Sequence, residues 1–284
     1  MQTVIFAKKN NVELKGDFYK SPRSDAAKTI IYFHGGGLIW GLRNDLPEAY
    51  RNLFLEAGYH FFAVDYRLAP ETKLPDIYED AQDAILWFEA NARAEFGVSN
   101  VFVLFGRSAG AYLALQLAAD ATLPNADAVL SFYGYPSIRA DWYQTPSAHY
   151  AKLPTIPADL KDALVVGQEE LTEGFIEKRY ALYIYCRQTG KWLDEVFGSA
   201  DAAYLDAFCL EEMRDFSFLP PVFIAHSTTD QDVPYSEAEK LAKTTFENEL
   251  YTVRDLEHDF DKKTDAGLPA YKQALAFLDQ FNQE

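Results

Sequence analysis

Apolar residues along this chain follow two alternating rhythms. Short runs rich in β-branched and aromatic residues, at 29–33, 59–65, 101–105, 126–133 and 221–225, read as strands. The run at 101–105 is almost wholly apolar and reads as a strand buried on both faces. Between these runs lie stretches with helical spacing. Residues 45–57 form one, and 76–96 another, with Ile77, Ala81, Ala84, Ile85 and Phe88 on one face. Residues 109–119 supply strong helix formers. Ser236 and Glu239 have the spacing of a capping box and predict a helix to about Glu247. Leu268, Tyr271, Leu275, Leu278 and Phe281 give a last helix its apolar face. Two strands at 3–7 and 12–19, joined at Asn10-Asn11, open the chain, and a strand at 250–256 precedes the last helix. Such alternation predicts an α/β fold with a mostly parallel central sheet flanked by helices.

The rhythm stops between about 137 and 218. That stretch carries Trp142, Tyr143, Tyr150, Phe175, Tyr180, Tyr183, Tyr185, Trp192, Phe197 and Tyr204, with helical segments expected around 159–166, 170–187 and 201–214. It reads as a helical cap inserted after the sixth strand, either a second packing layer or a lid whose aromatics line a pocket. The expected division is therefore a core of 1–136 and 219–284 with a cap of 137–218. No internal repeat or low-complexity tract interrupts either part.

A hydrophobic content of 49% is that of a globular chain with a substantial core. The net charge of −17 disfavours nucleic acid and anionic membrane surfaces as partners. No apolar run approaches the ~18 residues of a membrane span, and Lys8-Lys9-Asn10 cuts off the opening apolar stretch before it could serve as a secretory signal. Cys186 and Cys209 make no disulfide framework and read as free thiols in a reducing compartment. A cytoplasmic protein without nucleic-acid or membrane partners is the expectation; a homodimer is left open.

The chemistry concentrates at strand ends. Gly106-Arg107-Ser108-Ala109-Gly110 joins the 101–105 strand to the helix after it. A serine raised on a sharp strand-to-helix turn is crowded by backbone on both sides, which favours residues without a β-carbon there. Alone, the pentapeptide fits an ordinary capped junction better; its place between a strand and a helix brings the two readings level. His34-Gly35-Gly36-Gly37 follows another strand. It lacks the Lys-Ser/Thr of a phosphate loop and the last glycine of a dinucleotide fingerprint, so backbone donors for an anion forming over Ser108 remain. A serine needs a base, and the base an orienting carboxylate. Of five histidines, His34 would hold the glycine loop and His60 lies on a core strand. His149 falls in the insert and His226 at a strand end, neither after the acid. His258, in the loop after the last strand, completes the chain order Ser108, Asp230, His258. Asp230 lies inside its loop; Asp232, two residues on, is expected to serve the following helix N-terminus. No spacing suits a metal site, and no cofactor is expected.

Together, His34-Gly-Gly-Gly37, Asp65-Tyr-Arg-Leu-Ala-Pro-Glu71, Gly106-Arg-Ser-Ala-Gly110, the acid before Val233-Pro234 and the terminal His258 resemble the hormone-sensitive-lipase-like esterases of the α/β-hydrolase superfamily. The resemblance covers roughly 28–136 and 219–282. It implies an α/β-hydrolase fold, Ser108 as nucleophile, His258 as general base and Asp230 as its partner. It also implies an oxyanion hole made by the backbone N–H groups of Gly36, Gly37 and Ala109. The implied activity is serine carboxylesterase action on small, short-acyl esters. Amide cleavage by the same machinery, as in an aryl-formamidase or small peptidase, and a ligand receptor on the same scaffold are the alternatives. Three positions depart from the family pattern. Arg107 precedes the nucleophile where an acidic or neutral residue is usual, and Asp259 replaces the glycine after the histidine. The N-terminal segment is short for the family's usual cap helices, which leaves the 137–218 insert to cover the site.

Overall fold

A computed structural model describes residues 1–165, 167, 169–198, 202–210 and 219–281. Eight strands form one sheet: β1 (Gln2–Lys9), β2 (Val12–Tyr19), β3 (Lys28–Phe33), β4 (Tyr59–Val64), β5 (Phe102–Arg107), β6 (Val129–Phe132), β7 (Val222–Ser227) and β8 (Asn248–Val253). Their order across the sheet is β1-β2-β4-β3-β5-β6-β7-β8. β1 and β2 pair antiparallel, as do β2 and β4, and every pairing from β4 to β8 is parallel. The predicted α/β-hydrolase architecture is therefore present, with β5 near the centre and every one of its residues buried.

Strand alternation sorts side chains to two faces. On β3, Ile30 and Tyr32 join one apolar cluster while Ile31 and Phe33 join the other. Helices α1 (Glu48–Ala57) and α10 (Thr264–Asp279) cover the first face through Tyr50, Phe54, Tyr271 and Phe277. Helices α2 (Leu74–Phe96), α3 (Ala109–Ala118) and α9 (Tyr235–Thr244) cover the second through Ile77, Phe88, Leu113 and Leu241. Parallel strands point their carboxyl ends the same way, so the loops after β3, β5, β7 and β8 converge on one edge of the sheet. Those loops carry the glycine run, Ser108, Asp230 and His258.

Between β6 and β7 the chain leaves the sheet through α4 (Asp141–Gln144), α5 (Ala158–Val165), α6 (Ile176–Thr189), α7 (Trp192–Val196) and α8 (Ala202–Asp206). Its buried side chains, among them Tyr143, Leu182, Tyr183 and Trp192, belong to the same apolar cluster as α2 and α3. Among the described residues this excursion has no separate core of its own.

Local boundaries differ from the periodicity in several places. The helix expected from residue 45 starts at Glu48, because Pro47 at its N-cap disfavours helical geometry in the residue before it; Asp45 is left free for other work. The capping box of Ser236 and Glu239 does not form. Pro234 takes the cap position and places Ser236 inside the first turn, with no side-chain cap bond. The strand after it starts at Asn248, whose side-chain amide binds the carbonyls of Ala242 and Thr245. Residues 170–175 are not helical: Leu171 accepts a bond from Leu68, and Gly174 pairs with Gly41 as an antiparallel bridge, so α6 begins after Phe175. Of the helical segments expected at 159–166 and 201–214, residues 166, 201 and 211–214 lie outside the described residues.

Candidate active site

Ser108 sits where β5 turns into α3, with φ of 52° and ψ of −120°. A serine at positive φ is strained and holds only where its surroundings fix it. Here the flanking glycines allow the turn to close. A β-carbon on Gly106 would overlap the backbone of Gly110, and one on Gly110 would overlap the carbonyls of Phe33 and His34. The serine N–H is tied to the Phe132 carbonyl at 2.9 Å.

His258 Nε2 lies 2.9 Å from Ser108 Oγ, and His258 Nδ1 lies 2.7 Å from Asp230 Oδ2. Residues 108, 230 and 258 are thus brought into one line of hydrogen bonds. Asp230 is fixed from its other side, where Oδ1 accepts the N–H groups of Asp232 and Val233, each at 2.8 Å. His226 Nε2 approaches Oδ2 at 3.1 Å and the Val233 carbonyl at 3.0 Å. Burial opposes the charge on Asp230, but His258 and His226 outweigh it and hold the carboxyl well below its ordinary pKa. Burial likewise opposes a proton on His258; Asp230, with smaller help from Asp232 and Asp259, reverses this and pushes its pKa up to about 9. The edge of the Tyr133 ring packs on the imidazole with centroids 4.7 Å apart.

The glycine loop passes beside the same serine. Gly36 has φ of +101°, and its carbonyl accepts from both Ile39 and Trp40, a tight turn that a β-carbon would drive into Trp40. His34 braces the loop as expected: buried, stacked on Tyr66 at 4.2 Å, with Nδ1 2.7 Å from the Gly35 carbonyl. His60 is buried on β4, and its Nδ1 accepts the Ser21 N–H at 3.0 Å, a packing role. Gly36, Gly37, Ser108 and His258 line a cavity of about 310 Å³ that Trp40, Tyr180 and Tyr183 also wall. A second cavity, about 250 Å³, shares Gly36, Trp40, Ser108 and Lys262 and extends toward Asp45 and Tyr133. Ser108 therefore stands between two recesses.

Several contributors were not foreseen from the sequence. Arg107 is buried beneath the serine turn, where Nε donates to Tyr32 Oη at 2.8 Å and Nη2 to Asp45 at 2.8 Å, with Nη1 3.3 Å from Asp261. Tyr133 and Tyr271 also donate to Asp261. The cation is built into the scaffold by two carboxylates remote in sequence, which no spacing rule reveals. Asp259 stands beside the site, Oδ1 4.0 Å from His258 Nε2, and is ion-paired with Lys262. His149, expected only to lie in the insert, lines the larger cavity. Asp232 does not serve the α9 N-terminus as expected. Its carboxylate turns the other way and accepts from Tyr150 and Tyr183 while pairing with Arg187.

A family model described as the alpha/beta hydrolase fold matches residues 30–262. The chain belongs to that family. Among solved structures, this α/β-hydrolase is similar to a protein of unknown function from Staphylococcus aureus subsp. aureus Mu50, with 29% identity, a TM-score of 0.86 and 99% of each chain covered. An alpha/beta hydrolase superfamily protein from Enterococcus faecalis aligns at 26% identity and TM-score 0.79, covering 94% of this chain and 96% of that one. A thermophilic esterase from Thermogutta terrifontis shares the fold at 22% identity and TM-score 0.66, over 99% and 94% of the two chains. Among curated proteins, a non-reducing polyketide synthase of Penicillium brevicompactum is 25% identical over 318 residues. The α/β-hydrolase chain is covered to 92% in that alignment but spans only 14% of the synthase's length. Among the described residues no helix is long and apolar enough to cross a membrane, and no group of three or more His, Cys, Asp or Glu side chains could hold a metal ion. Both cysteines are buried and free.

Proposed function

We propose that this α/β-hydrolase is a serine carboxylesterase acting on small esters. The observation that carries the reading is the unbroken line from Ser108 Oγ through His258 to Asp230, at 2.9 and 2.7 Å, opening into a cavity. His258 Nε2 takes the Ser108 proton as Oγ attacks the ester carbonyl carbon, and the carbonyl π electrons move onto oxygen. The backbone N–H groups of Gly36, Gly37 and Ala109 receive that oxyanion; Ala109 opens α3, where the first N–H groups have no partner within the helix. Collapse expels the alkoxide, which takes the proton from His258 and leaves an acyl-serine. Water then repeats the sequence: His258 deprotonates it, it adds to the acyl carbon, and the proton returns to Ser108 as the acid departs.

A cavity of about 310 Å³ stands at the small end of ligand sites, which supports acyl groups on the order of two to six carbons. The Thermogutta terrifontis esterase, which shares the fold, has been obtained with propionate and with butyrate bound. The test pairs p-nitrophenyl esters of graded acyl length, alongside matched amides, with labelling by a fluorophosphonate. Wild type should hydrolyse the short esters, leave the amides and take up the label; folded Ser108→Ala should neither hydrolyse the esters nor take up the label. Label on the folded alanine variant, or rates that climb steadily beyond about ten carbons, would contradict the reading.

A further inference from the structure

Three residues of α6, Arg179, Tyr183 and Arg187, recur every fourth position and so share one face of the helix. Each is buried, and together they hold two different parts of the site. Arg179 Nε donates to the Ile39 carbonyl and Nη2 to the Ala69 carbonyl, both at 2.6 Å, while both Nη atoms bind Glu71 at 2.7–3.0 Å. This end grips the glycine loop just after Gly36 and Gly37. Trp192, next after α6, adds an indole bond to the Gly37 carbonyl at 2.9 Å.

The other end grips the turn that carries Asp230. Tyr183 Oη donates to the Asp232 carboxylate at 2.8–2.9 Å, Arg187 Nε pairs with it at 3.1 Å, and Tyr150 Oη adds a third donor at 3.1 Å. Arg187 Nη2 binds the Asp232 carbonyl at 2.8 Å, and the guanidinium is enclosed by the rings of Trp142, Tyr150 and Trp192. The N–H of Asp232 itself is one of the two donors that fix Asp230 Oδ1. One residue thus has its backbone on the candidate triad acid and its side chain on the excursion.

We infer that α6 is a strut that sets the spacing between the glycine loop and the Asp230 turn, and that Asp232 is the positioning residue through which it acts. The inference rests on the serine esterase reading. A salt bridge kept only for stability would leave the chemistry of folded molecules untouched. A positioning role instead sets how well Asp230 meets His258, since displacement of about 1 Å at a reacting group can cost up to ~100-fold.

The experiment compares wild type, Asp232→Asn, Tyr183→Phe and the double variant Asp232→Asn/Arg187→Met. It measures kcat and KM on p-nitrophenyl acetate, normalised to serine titrated to completion with a fluorophosphonate, and thermal midpoints in parallel. Normalisation removes unfolded molecules from the rate. Both single variants should lose about tenfold or more in kcat with KM within about threefold. Removing the stranded cation with Arg187→Met should recover the thermal midpoint but not kcat. Unchanged kcat per titrated serine in the single variants, or full recovery of kcat in the double variant, would overturn the inference while leaving the esterase reading in place. Tyr183→Phe keeps the ring and leaves Asp232 its contacts to Arg187 and Tyr150, so it decides the matter should Asp232→Asn fail to fold. A wild type that neither hydrolyses nor labels would remove the esterase reading and this inference with it.

Discussion

Replacing Asp259 by asparagine removes a negative charge that stands 4.0 Å from His258 Nε2, on the side of the ring that faces Ser108. Burial lowers the pKa of His258, and the carboxylates of Asp230, Asp232 and Asp259 together outweigh it. Only the ring without a proton on Nε2 can take one from serine, so kcat/KM rises as pH passes upward through this pKa. Two unit charges 4 Å apart interact by about 1 kcal/mol in water and about 4 kcal/mol at an effective dielectric of 20. Asp259 shares its charge with Lys262, and its side chain is 25% exposed, which places the loss at the lower end. On the order of 1 kcal/mol corresponds to about 0.7 pH unit. The acid limb of the profile should therefore move to lower pH by roughly 0.5 to 1 unit, raising the rate several-fold below the limb. Initial rates on p-nitrophenyl acetate from about pH 5 to about pH 10 measure this directly. A limb that stays in place, or moves to higher pH, would refute the assigned effect of Asp259 on the base.

Asp230→Asn should lower kcat severely, up to ~10⁴-fold, because an amide offers His258 the wrong hydrogen-bonding partner; a loss within tenfold in the titrated enzyme would count against its role. His258 has a folded-state pKa above its unfolded value of 6.5, so its contribution to stability is fully present below that pH and is lost as pH rises through about 9. Urea midpoints across this window should fall in wild type and stay flatter in His258→Gln. Gly110→Ala should destabilise by about 3 kcal/mol, since its methyl meets backbone carbonyls that cannot swing aside. Chemical denaturation reads this, and a cost near zero would show that α3 can move off the sheet.

The sheet and the line of Ser108, Asp230 and His258 were legible because each depends on local pattern. Buried parallel strands announce themselves as apolar runs, and the elbow and glycine loop need particular residues at fixed spacing. What the sequence hid is long-range satisfaction of buried charge. Nothing near Arg107 says that Asp45 and Asp261 will meet it, and the helix expected at 45–57 placed Asp45 on the wrong element altogether. The sequence neighbours of Asp232 point to a helix-end charge; its partners come instead from residues 150, 183 and 187. The helical segment expected around 170–187 includes 170–175, but the pairing of Gly174 with Gly41 depends on a chain segment 133 residues earlier.

The cation beneath the serine turn bears on how this protein can change over generations. Arg107 answers Asp45 and Asp261 at once, so exchanging it alone takes the counter-ion from two carboxylates, one of them without any exposure, and leaves them only tyrosine donors. Breaking such a pair costs about 3–5 kcal/mol, a large share of the 5–15 kcal/mol that keeps a typical domain folded. Exchanging all three for apolar residues of similar volume can be close to neutral, whereas exchanging one alone leaves a charge without its counter-ion. The residue before the nucleophile is thus tied to positions 45 and 261, and a change at any one of the three asks for a change at the others.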